Sequence, residues 1–159
     1  MPNKKISIGW FSYACCNDST IVFTELLNDH WKEWKEIFDF RHVEVLQKEN
    51  KFDKFDIVFI EGAITTKEQK TEVMKIRKMS KKLVAVGACA VVGAPANQRN
   101  RFSDEEKQEI EFLLARFKAL DEVLKVSDVV KVDAEVPGCP MDPIIFLRVV
   151  SDLVNEFKK

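Results

Sequence analysis

Apolar, β-branched runs that end at turn residues alternate along this chain with amphipathic stretches of helical period, and that alternation constrains the fold more than any other feature. Residues 5–12 form the first run, which stops at the Cys15-Cys16 turn and reads as a strand. Behind Asp18 and Ser19, each suited to an N-cap, Phe23, Leu27, Trp31, Trp34 and Phe38 recur at steps of four or three. This predicts a helix with both tryptophans towards the core. Residues 41–46 and 55–60 read as strands two and three, separated by the charged stretch 47–54, and the third ends at Glu61-Gly62. Val73, Ile76 and Met79 among many charges make 66–81 a surface helix, and 83–86 follows as a fourth strand closed by Gly87. Ser103-Asp104-Glu105-Glu106 has capping-box spacing, with Ile110, Leu113, Leu114 and Phe117 at helical intervals behind it. Residues 129–136 read as a fifth strand, Val130, Val132 and Ala134 facing one way, before Asp142-Pro143 opens a last helix through Ile145, Val149, Leu153 and Phe157.

Strands alternating with helices imply a mostly parallel sheet covered on both faces, because each crossover is right-handed and returns across a face. The expected fold is therefore an α/β three-layer sandwich around a mostly parallel five-stranded sheet of flavodoxin-like order. Residues 1–159 are expected to form one domain, since no repeat, low-complexity tract or linker interrupts them. A chain of this length buries roughly 68–70% of its unfolded surface, enough for a core without staples. Lys+Arg 25 against Asp+Glu 26 leaves a net charge of -1, so there is no basic field to track a nucleic-acid backbone. The longest apolar runs, 57–60 and 126–132, fall far below the roughly 20 residues that span a bilayer, so direct membrane insertion is not expected. Met-Pro-Asn-Lys-Lys-Ile leads straight into the first strand without an apolar h-region, which reads as a cytoplasmic chain. Four cysteines in that setting are reduced thiols or metal ligands rather than a disulfide framework.

The positions of those cysteines carry the chemistry. Cys15 and Cys16 lie just past strand one, Cys89 just past strand four, and Cys139 between strand five and the last helix. Ligands of open α/β sheets gather beyond the carboxyl ends of the strands, so the four thiols are expected at one edge. Four thiolates suit one [4Fe-4S] cluster or one structural zinc. Zinc sites usually contain ligand pairs two to four residues apart, which this chain lacks; the plain alternative is four small buried side chains. Gly87 and Gly93 bracket Cys89, and Pro137-Gly138-Cys139-Pro140 makes a stiff loop with one permissive residue, both suited to wrapping an inorganic core. Helices starting near Asp18 and Pro143 would aim positive N-termini at an anionic cluster. Adjacent residues in an extended segment point apart, so Cys15 and Cys16 ligate together only from a distorted turn, with Asp18 the nearest substitute. Glu61 follows strand three at the same edge, where the plain reading is a solvated loop carboxylate with a cap role. His30 and His42 have no ligand spacing, Trp10 and Phe11 are candidate interface anchors, and the basic loop 95–102, with Gln98, Arg99, Asn100 and Arg101, is a candidate partner contact.

As a set, Cys15-Cys16 after a strand, Glu61-Gly62-Ala63, Gly87-Ala88-Cys89-Ala90 with Gly93, and Val136-Pro137-Gly138-Cys139-Pro140 resemble the small subunit of [NiFe] hydrogenases. They also resemble the related 20-kDa cluster-bearing subunit of respiratory complex I, and the likeness runs from about Ile6 to the last helix. What it implies is a flavodoxin-like domain holding one proximal [4Fe-4S] cluster on Cys15, Cys16, Cys89 and Cys139, docked on a large subunit that carries the nickel–iron site. Glu61 would lie near the subunit boundary, in a proton route. The implied role is electron transfer within an oxidoreductase, with no catalytic residue in this chain and further electron-transfer subunits downstream. Cys89-Ala90-Val91-Val92-Gly93 followed by Gln98-Arg99-Asn100 is similar to the short small subunits of cytosolic hydrogenases, which carry the proximal cluster alone. Most hydrogenase small subunits begin with Cys-x-x-Cys, whereas the tandem pair here is the complex I pattern; Trp10-Phe11-Ser12 and Asn17-Asp18-Ser19-Thr20 look more like the soluble hydrogenase branch. A complex I-like subunit and a structural zinc-binding interaction module are the two alternatives.

Overall fold

A computed structural model describes residues 4–158. In chain order its elements are β1 (Ile6–Ser12), α1 (Asp18–Ile37), β2 (Phe38–Val43), β3 (Phe55–Glu61), β4 (Ile64–Thr66), α2 (Lys67–Met79), β5 (Ser80–Val86), α3 (Gly87–Val91), α4 (Asp104–Arg116), β6 (Ala119–Leu124), β7 (Ala134–Val136) and α5 (Pro143–Phe157). Five strands pair in parallel in the order β2-β1-β3-β5-β7, the flavodoxin-like arrangement, while β4 and β6 form a separate antiparallel pair. The central strands β1 and β3 are buried almost throughout, as parallel strands covered on both faces must be.

Strand alternation divides the core into two. On one face α1 and α5 lay Phe23, Leu27, Trp34, Phe146 and Leu153 against Ile8, Trp10 and Phe59. On the other, Val73 and Ile76 of α2 pack against Phe11, Val58, Ile60 and Leu83. Trp10 and Phe11 are thus core residues on opposite faces rather than interface anchors, and Trp10 stacks on Phe23 at 4.5 Å between ring centroids.

Several expectations shift. Trp31 is 46% exposed and leans on Phe40, whereas Trp34 is buried. Two successive steps of four residues, from Phe23 through Leu27, carry position 31 about 80° around the helix from where it began, off the buried stripe. Phe38 is buried as the first residue of β2, not as the last of the helix stripe. Strand two accordingly occupies Phe38–Val43, paired with β1 from Ile6↔Phe38 onward, and Val45 and Leu46 are exposed in the turn beyond it. Of the expected strand 129–136, only Ala134–Val136 joins the sheet. Its ladder is seeded by Asp133, whose N–H donates to Leu83 O and whose carboxylate accepts Leu83 N–H, each at 2.8 Å. Strand β6 went unread because Asp121 and Glu122 interrupt its apolar pattern. α4 has the expected capping box, Ser103 and Glu106 exchanging backbone-to-side-chain bonds of 2.8 and 3.3 Å. Its apolar residues nevertheless miss the core, with Phe112 and Phe117 67% and 65% exposed, because the helix hangs on β6 beyond the main sheet. Among the described residues no helix is long and apolar enough to cross a membrane.

Candidate metal centre

Three segments leave the carboxyl edge of the main sheet carrying the cysteines: Cys15-Cys16 after β1, Cys89 within α3 after β5, and Cys139 between β7 and α5. All four line one shallow recess, together with Asp18, Ser19 and Glu61. This is the region where the winding reverses, since the chain leaves β1 towards β2 on one side and later adds β5 and β7 on the other. Every thiol is free; Cys16 and Cys139 are exposed, Cys15 and Cys89 half-buried. Among the described residues no three His, Cys, Asp or Glu side chains converge as one metal ion needs. The thiols stand around the recess rather than on a point. Neither histidine joins them: His30 stacks on Trp34 and His42 on Phe11.

Backbone bonds hold the first segment to the end of β3. Tyr13 N–H donates to Glu61 O at 2.8 Å, and Ala14 and Ala63 exchange bonds of 3.1 and 3.0 Å. The expected cap of α1 is corrected here, because Asp18 already lies in the first turn. The capping position belongs to Asn17, which is left-handed with φ 63° and makes no side-chain capping bond. An anion from elsewhere takes over that task. Glu61, 2% exposed, reaches across from β3; its Oε1 accepts Ser19 N–H at 3.0 Å and its Oε2 accepts the Thr20 hydroxyl. Thr20 Oγ1 in turn accepts Trp10 Nε1–H at 2.9 Å. A carboxylate suits that spot, since the first N–H groups of a helix are unpaired and carry its positive end.

The remaining two segments lean on each other. Ala88 N–H donates to Gly138 O at 2.7 Å, and Asp142 N–H donates to Pro137 O at 2.9 Å. Gly138 has φ +113°, and a Cβ there would meet Pro140 O at 2.5 Å, so no other residue closes this turn unchanged. Asp142 then caps α5, accepting Ile144 and Ile145 N–H at 2.8 and 2.9 Å.

Burial and neighbouring charge favour the protonated thiol at Cys15 and Cys89. Burial is the main cause that pushes Cys15 up to about 11, and the charges of Glu61, Cys16 and Cys89 push the same way against a hydrogen bond at Asn17. Burial likewise raises Cys89, aided by Cys139, Cys16 and Glu61. A bound cation reverses this balance, because it favours the thiolate that burial disfavours.

The basic loop is committed to the chain's own body. Arg99 Nη1 donates to Asp121 O at 2.7 Å, and the Asn100 side chain exchanges two bonds with the Val123 backbone, at 2.9 and 2.8 Å. These side chains fasten the loop to β6; of those read as partner contacts, Gln98 and Arg101 stay exposed. Sequence reasoning missed what Ser19 and Thr20 do here. The partners that tie them to the other segments, Glu61 and Met141, lie 41 to 122 residues away, so no local pattern marks that role.

Comparison with known proteins gives a consistent picture. Residues 15–153 match the family model for the 20-kDa subunit of NADH ubiquinone oxidoreductase. A subunit of the F420-non-reducing hydrogenase of Methanothermobacter marburgensis is 28% identical, the match covering 96% of this chain and 54% of that one. The delta subunit of the NAD-reducing hydrogenase HoxS of Cupriavidus necator is 30% identical over 62% of this chain and 55% of its own length. The chain thus spans about half the length of the curated relatives it matches. Among solved structures, a chain of an NAD+-reducing [NiFe]-hydrogenase in the H2-reduced state superposes with a TM-score of 0.82 at 25% identity, covering 96% of this chain and 93% of that one.

Proposed function

The chain belongs to the family of the 20-kDa subunit of NADH ubiquinone oxidoreductase, and from that membership we propose that it is the electron-transfer small subunit of a [NiFe] hydrogenase. In this reading Cys15, Cys16, Cys89 and Cys139 hold one proximal [4Fe-4S] cluster, and a separate large subunit carries the nickel–iron site. The observation that carries it is the meeting of four free thiols, from three separate segments, around one recess at the sheet's carboxyl edge. Sulfurs spread around a space suit a polynuclear group, in which each thiolate takes its own metal atom. One zinc ion instead needs its ligands at about 2.3 Å from a common centre. Bound there, the cluster supplies one-electron redox chemistry.

The chain's own residues hold and orient. The first turns of α1 and α5 are fixed by the carboxylates of Glu61 and Asp142, which hold in place the segments that carry the cysteines. Glu61 serves first as the buried cap of α1; a proton route through it would run by way of the Thr20 and Ser12 hydroxyls to the exposed side of Ser12. Exposed apolar side chains on the first turns of α1 and α5 and just after α3, namely Ile21, Ile144 and Val92, supply a surface for the large subunit. Further electron-transfer subunits and a cytoplasmic setting belong to the same proposal.

A second reading, a complex I-like subunit, is favoured by the adjacent pair Cys15-Cys16 and by the description of the family. Anaerobic purification of the assembly, with iron, sulfide, nickel and zinc quantified beside hydrogen-dependent dye reduction, separates the readings. Four irons and four sulfides on this chain, with nickel in a partner and hydrogen-driven reduction, is the result expected. The same cluster without nickel moves the assignment to the complex I type, and zinc without sulfide refutes both.

A further inference from the structure

Ser19 is 4% exposed in the first turn of α1, where three segments distant in sequence meet. Its N–H, bonded to Glu61, ties the Cys15-Cys16 segment to β3. Its Oγ accepts the backbone N–H of Met141 at 3.1 Å, two residues beyond Cys139. The same oxygen lies so close to Gly87, two residues before Cys89, that a Cβ at Gly87 would sit 2.8 Å from it. One hydroxyl therefore touches the segments that carry Cys89 and Cys139, while its own backbone belongs to the helix that follows Cys15 and Cys16. The Ala88-to-Gly138 bond closes the triangle.

We infer that Ser19 is a positioning residue that sets the spacing of the Cys139 loop against Cys89 and the Cys15-Cys16 turn before any metal arrives. The inference rests on the reading of the recess as a cluster site. Its physical basis is the buried Met141 N–H, which must find an acceptor. Alanine at position 19 offers none. Freed of that bond, the loop relaxes, and the thiolate it carries meets a metal at a different angle. A thiolate's orientation and hydrogen bonding tune the electronic structure of the iron it binds.

The test uses the full chain, metal-free and then reconstituted anaerobically with ferrous iron and sulfide. In the metal-free protein, Ser19→Ala should speed hydrogen exchange at Met141 N–H by about two- to tenfold, the factor for a hydrogen bond of ordinary strength. After reconstitution and reduction, its electron paramagnetic resonance g-values should move while the iron and sulfide content stays at the wild-type level. Ser12→Ala, which removes an exposed hydroxyl beside the same Glu61 without touching Met141, should change neither readout. Unchanged Met141 exchange together with an unchanged spectrum in Ser19→Ala overturns the inference. Should that variant fail to fold, Ser19→Thr keeps the acceptor; retained Met141 protection upholds the clamp and its loss overturns it. If the wild-type chain assembles no four-iron cluster, the reading of the site fails by itself, and the exchange measurement still decides whether Ser19 holds the loop.

Discussion

Replacing Glu61 offers the sharpest check on how the recess is built. Glu61→Ala removes the acceptor of two donors, but the costs differ. The Thr20 hydroxyl can turn to Ser12 Oγ, 3.4 Å away, whereas the buried Ser19 N–H has nowhere to turn. Leaving that group unpaired costs about 1–3 kcal/mol. Losing the anion at the start of α1 adds up to about 2 kcal/mol, and losing one buried methylene about 0.8 kcal/mol. Against these stands relief of the carboxylate's desolvation, several kcal/mol before hydrogen bonding compensates it. The net expectation is a loss of about 3 kcal/mol for Glu61→Ala. Glu61→Gln keeps an oxygen for Ser19 N–H and most of the packing but gives up the charge, so a loss of about 1–2 kcal/mol is expected. Urea unfolding of the metal-free chain at neutral pH, followed by two probes to check two-state behaviour, measures both. A glutamine variant as unstable as the alanine variant would refute the capping reasoning. So would an alanine variant as stable as wild type, since the buried charge would then cost as much as its bonds return.

Other outcomes follow from the same geometry. Gly138→Ala forces a Cβ to 2.5 Å from Pro140 O at φ +113°, and thermal unfolding should register a loss of about 1–3 kcal/mol or more; an unchanged midpoint would contradict the turn geometry. In the metal-free chain, alkylation followed by mass spectrometry should label exposed Cys16 and Cys139 before half-buried Cys15, whose labelling rises only as pH climbs towards 11; early labelling of Cys15 would count against its burial. Because folding raises the Cys15 value, the stability linked to it is fully present below the unfolded value near 9 and is lost as pH rises through about 11, the opposite sign to a depressed carboxylate. Cys89→Ser and Cys139→Ser should each abolish or markedly alter the magnetic signal of the reduced reconstituted cluster. A wild-type signal in either variant would remove that residue from the ligand set.

Legibility followed the range of the interaction involved. β1, β3, α2 and α5 were readable because their signals are local: continuous apolar runs for strands buried on both faces, Val73 and Ile76 at helical spacing among charges, and Asp142-Pro143 at the start of the last helix. β2 was misplaced because α1 passes into it without a loop, leaving no turn residue to mark the change of period. Strand 129–136 shrank because the Asp133 side chain, not the valines before it, begins the pairing with Leu83.

Sequence alone determined the alternating architecture and the approach of four cysteines to one edge, since hydrophobic period, caps and turn residues act over a few positions and parallel strands must end on the same side. Tertiary structure alone decided which side chains hold those cysteines apart. The buried Glu61 that caps a helix it does not belong to, and the Ser19 hydroxyl that accepts Met141 N–H from 122 residues away, satisfy backbone groups that only folding buries, so no nearby residue could announce them.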